Sequence, residues 1–105
     1  IPNEEDYEIY LSEDETDRSF RSANKYAWEK AMWGNGHEQA HYGYNNTGKT
    51  IVFGHFHTSW PRHYYDDEDE WGENADFSPY YHTDGNAIGI DGCNAYSGKV
   101  IVLVL

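Results

Sequence analysis

What this chain can fold into is limited most by where its aliphatic residues lie. Leu, Ile and Val concentrate at Thr50–Phe53 and in the last eighteen residues, against a background of ten Tyr, four Trp and four Phe. Short β-branched and aromatic runs bounded by Gly, Asn or Ser read as strands. Three segments qualify: Thr50–Phe53, closed by Gly54; Ala87–Ile90; and Lys99–Leu105. Ser97-Gly98 fits a hairpin-like turn between the last two, which predicts antiparallel pairing there. A core built from so few aliphatic side chains has to be small and aromatic.

One helix accompanies these strands. Ala23, Ala27 and Ala31 favour it, Ser22 or Asn24 caps it, and Gly34 and Gly36 stop it, so it is predicted over roughly Asn24–Trp33. Ala27, Trp28, Ala31 and Met32 make one apolar stripe suited to packing on a sheet. The acidic stretch from Asn3 to Arg18 reads as a surface loop, and Asn45-Asn46-Thr47-Gly48 as a turn. Pro61–Asn86 has no regular period and reads as a long loop, with Asp66-Asp-Glu-Asp-Glu70 as a solvated acidic face. The class is α+β, with one main helix and three to four mostly antiparallel strands.

Composition excludes several functions. Seven Lys+Arg against nineteen Asp+Glu give a formal charge of −12, which repels phosphate backbones and anionic lipid. Nucleic acid is therefore not an expected partner. No membrane is expected either, because Val100–Leu105 falls far short of the ~20 apolar residues needed to cross a bilayer. A lone Cys93 in 105 residues makes no internal disulfide, which points to a reducing cytoplasm and one domain at most. With no paired cysteine and no cation nearer in sequence than Lys99, Cys93 reads as a packing residue.

The segment that carries chemistry is Gly54-His55-Phe56-His57, directly after a buried strand, where ligands collect in layered folds. Two-residue alternation would turn His55 and His57 to one side, and Gly54 lets the backbone pass closely beneath a bound ion. Neutral imidazole is the commonest metal ligand. An H-x-H pair alone reads first as two surface histidines, as His37, His41, His63 and His82 do.

The wider order is more specific. Gly54-His55-Phe56-His57 is followed by Ile90-Asp91-Gly92-Cys93-Asn94, then Tyr96-Ser97-Gly98-Lys99, then an apolar run. This order resembles the calcineurin-like metallophosphoesterases, especially their serine/threonine-phosphatase branch, over residues 52–57 and 90–104. The resemblance implies that His55 ligates one ion of a binuclear manganese, iron or zinc centre and that His57 serves the other. Two cations ~3.5–4 Å apart clamp a phosphate and activate a bridging water. It also implies a parent fold of four layers, α/β/β/α, of which residues 1–105 form the C-terminal portion of one domain.

The family's Asp-x-His pair, bridging Asp, Asn-His pair and mid-chain His-Gly pair have no counterpart in this sequence. Both ends look cut, and Ile1-Pro2 resembles the residues that follow a ligand His-Gly in related phosphatases. By the same resemblance, Arg21 and Lys30, at the helix preceding the Gly-His strand, are candidates to bind substrate phosphate. Lys30 replaces the family's fork-shaped Arg, and both residues read first as exposed charges. Asp91 either orients a ligand imidazole or caps the Gly92 turn.

The expected function is hydrolysis of phosphomonoesters by metal-activated water, on a phosphorylated protein or small phosphoester, with the chain inactive alone. Alternatives are a dinucleotide polyphosphate or cyclic nucleotide hydrolase with the same centre, or a non-enzymatic acidic module that binds metal or protein.

Overall fold

The computed structural model describes residues 29, 31–43, 45 and 47–104. Glu29 and residues 31–33 are helical, and the rest of the helix predicted over Asn24–Trp33 lies outside the described residues. The acidic stretch 3–18, Arg21 and Lys30 lie outside them too. The helix ends at Trp33 and Gly34 bends the chain, as expected, but Gly36 does not act as a stop, because it opens a second helix, α1 (Gly36–His41). Asn35 starts it by accepting the Glu38 amide on its side chain at 3.2 Å.

The remaining elements are β1 (Ile51–Phe53), α2 (Ser59–Asp66), β2 (Tyr80–His82), β3 (Ala87–Gly89) and α3 (Asn94–Ser97). The strands form one mixed sheet in the order β1-β3-β2. β1 runs parallel to β3 with Ile51 opposite Ala87, and β2 runs antiparallel to β3 with Tyr80 opposite Gly89. The α+β class holds. The expected antiparallel hairpin between Ala87–Ile90 and Lys99–Leu105 does not form.

That difference has a local cause. Residues 94–97 wind into one helical turn, closed by Gly98 in the left-handed conformation at φ 71° and tied by Ser97 Oγ to the Gly92 carbonyl at 2.7 Å. Residues 100–104 keep strand-like alternation, with Val100, Val102 and Val104 76–88% exposed and Ile101 and Leu103 half-buried, but no strand is assigned there.

The stretch Pro61–Asn86 is more ordered than expected. Pro61 falls in the first turn of α2, where a missing N–H costs nothing, and Asp67 ends the helix in the left-handed region at φ 56°. Arg62 then gathers the loop that follows. Its guanidinium donates to the carbonyls of Thr58 (3.2 Å), Asp76 (3.3 Å), Ser78 (2.8 Å) and Pro79 (3.0 Å), and it lies over the Tyr80 ring. Replacing Arg62 by Met should cost about 2–3 kcal/mol, because several carbonyls lose a charged donor together. Limited proteolysis should then cut within residues 67–79 of R62M before the unmutated chain is cut, and equal cleavage rates would contradict this role.

The centre of the fold is aromatic, as expected, but a histidine occupies it. His37 is fully buried and packs edge-on against Phe53, with ring centroids 4.7 Å apart. Trp60 stacks on it at 6.4 Å and Tyr80 meets it at 5.8 Å. Apolar burial among the described residues is otherwise slight: Ala40, Phe77 and Ala87. No helix among them is long and apolar enough to cross a membrane.

Candidate metal centre

Parallel pairing of β1 with β3 sends both strands toward the same edge of the sheet, and each runs into one of the two sequence motifs there. The Ile90 amide donates to the Phe53 carbonyl at 2.9 Å, and the Thr58 amide donates to the Asp91 carbonyl at 2.9 Å. These bonds bracket the turn at residues 54–57 against the turn at residues 91–93. The carboxyl ends of parallel strands are where open α/β sheets place ligands.

Each turn holds a residue with left-handed backbone. His55 has φ 74° and Cys93 has φ 50°, and neither is glycine. Such conformations cost of order 1–3 kcal/mol and cluster at functional sites, though His is among the residues that tolerate them best. At His55 this backbone also ends the strand-like alternation that would have turned His55 and His57 to one side. Their neighbours differ: exposed His55 lies edge-on to Trp33 at 5.2 Å and against Phe56, whereas half-buried His57 lies 4.6 Å from Trp71 and 6.4 Å from Phe77.

His57 is also paired. Its Nε2 is 3.1 Å from Glu70 Oε1, a carboxylate that sequence reasoning left in a solvated acidic run. A carboxylate only accepts at neutral pH, so Nε2 carries the proton of this bond, and in the neutral tautomer the lone pair is on Nδ1. Carboxylate–histidine pairs of this kind fix the tautomer of metal-ligating imidazoles. Asp91 takes the simpler of its two expected roles, for its Oδ1 accepts the Cys93 amide at 2.8 Å and shapes the turn. Cys93 is half-buried.

Two further histidines lie beneath the first turn. His37 Nε2 is 3.1 Å from the Phe56 carbonyl, and His37 Nδ1 is 2.9 Å from His82 Nε2. Burial is the main cause that lowers His37 from the usual 6.5 to about 4, with His82 adding to it. Burial likewise leads in lowering His82 to about 4, followed by His41. Both rings are therefore neutral near pH 7. Sequence reading placed His37 and His82 on the surface, and the one available signal was the helix start at Asn35-Gly36 just before His37.

Beside His57 a groove of about 390 Å³ is lined by Phe77, Tyr96 and Lys99, among others. Among the described residues no group of three or more His, Cys, Asp or Glu side chains is gathered where it could hold a metal ion. His55 and His57 belong to no closed coordination shell among those residues. No family model, curated protein or solved structure matches the chain.

Proposed function

We propose that this chain is the C-terminal part of a cytoplasmic binuclear metal-dependent phosphoesterase that hydrolyses phosphomonoesters, with phosphorylated protein as its substrate class. One observation carries this reading. The Gly-His-Phe-His and Asp-Gly-Cys turns, distant in sequence, lie side by side at the ends of two parallel strands, each with a left-handed non-glycine residue.

His55 and His57 are the residues that would hold the ions, and the resembled family's remaining ligands and its leaving-group acid would come from outside this sequence. When bound, such ions polarise phosphoryl oxygens and lower the pKa of a coordinated water. The chain's own contribution is orientation. Glu70 holds His57 with Nδ1 available, and Asp91 shapes the neighbouring turn. The adjacent groove sets the Lys99 cation and the Phe77 and Tyr96 rings beside the Glu73 carboxylate.

The test uses the whole protein that carries this segment, assayed on p-nitrophenyl phosphate with manganese. Substituting partners of a ligand costs about 10–100-fold, and His55→Ala, which removes a ligand itself, should exceed that. Unchanged turnover in H55A would remove His55 from the site.

A further inference from the structure

We infer that His37 is a positioning residue for the turn at residues 54–57: His82 holds one of its nitrogens, the other clamps the Phe56 carbonyl, and the clamp sets where His55 and His57 emerge. This rests on reading those two histidines as metal ligands.

The direction of each hydrogen bond follows from its acceptor. A carbonyl has no proton to give, so His37 Nε2 donates to Phe56, 3.1 Å away. In a neutral imidazole the other nitrogen is then a bare acceptor, so the proton between His37 Nδ1 and His82 Nε2 belongs to His82. His82, on β2, thus fixes the tautomer of His37, on α1, and His37 fixes the carbonyl between the two candidate ligands.

The fold is shaped around this arrangement. A Cβ on Gly89 would lie 3.0 Å from His37 Nε2 and collide with the ring, so a glycine in the central strand makes the space that His37 occupies. A buried apolar side chain could fill that volume, but it would leave the Phe56 carbonyl without this donor. Buried polar groups are retained where their bonds are made, and partners standing behind metal ligands tune affinity without touching the ion.

Two measurements test the assignment. In the unmutated chain, nitrogen-resolved NMR of the imidazoles should show His37 as the Nε2–H tautomer with a slowly exchanging proton. An Nδ1–H tautomer overturns the proposal, since the carbonyl could not then be held. In the whole protein, Co²⁺ affinity should fall about 10-fold or more in His37→Leu and be largely regained in His37→Gln, whose amide can donate to the same carbonyl. Equal losses in the two variants would mark a merely structural role and overturn it. Should H37L not fold, His82→Leu removes the tautomer-fixing donor while keeping His37, and Co²⁺ affinity unchanged there overturns the proposal equally. His55→Ala separates the two readings. If it abolishes Co²⁺ binding while H37L binds normally, only the positioning role falls. If H55A binds Co²⁺ normally, the metal reading falls and the positioning role with it.

Discussion

Acidification from pH 7 to pH 4 is expected to destabilise the fold by about 3 kcal/mol through His37 alone. The unfolded chain takes up a proton on this side chain near 6.5, whereas the folded chain resists until about 4. Between those values the unfolded state binds more protons, so stability rises with pH, is fully present above 6.5 and is lost as pH falls toward 4. His82 shifts in the same direction for the same leading cause, but it is partly exposed, so solvent screening reduces its share. Protonating both would also set two cations at 2.9 Å in place of a hydrogen bond. Urea midpoints measured from pH 7 to pH 4 check this. His37→Gln, which does not titrate, should flatten most of the slope, and a slope equal to that of the unmutated chain would locate its source elsewhere.

Gly89→Ala should be the most damaging small substitution in the sheet. An added methyl would press on a fully buried ring that cannot recede, because Phe53, Trp60 and Tyr80 close round it. Overpacking of this kind costs about 1–3 kcal/mol, and displacing His37 also strains its bond to Phe56. The upper end, about 3 kcal/mol, is a large fraction of the roughly 5–15 kcal/mol that stabilises ordinary domains. Equilibrium unfolding monitored by circular dichroism measures it. Val52→Ala, on a 41% exposed side chain of the edge strand β1, is the control and should stay within about 0.5 kcal/mol. Similar losses in both variants would mean that sheet propensity, not the His37 cradle, sets the cost.

These effects centre on residues that sequence reasoning passed over, and the reason is physical. β1 and β3 were legible because β-branched runs with turn residues at both ends carry their own signal. α2 was hidden by its composition, for Trp60, Tyr64 and Tyr65 favour strands and Pro61 looks like a breaker until it is placed in a first turn. β2 is three residues long and contains no aliphatic side chain. The closing run was read as a strand from its β-branched residues, but a strand also needs a partner, which a segment's own pattern does not supply. The same division holds for the site. Gly54, His55 and His57 announce themselves as one local motif. His37 reaches Phe56 across 19 residues and His82 across 45, and no local spacing encodes such contacts. Glu70 was obscured by its acidic neighbours, among which it is the half-buried member beside His57.

The register of the parallel pair also bears on the order of folding. The hydrogen bond from Thr50 to Asn86 that begins the β1–β3 seam spans 36 residues, whereas the turn at residues 54–57 and α2 are purely local. Loop-closure entropy must be met before such distant partners gain anything from meeting. The two histidines are therefore in place along the chain long before the site exists. A nascent polypeptide that has not yet reached residue 87 carries the Gly-His-Phe-His motif with nothing to seat it against, and docking of β3 is the step that brings the two turns side by side at one sheet edge.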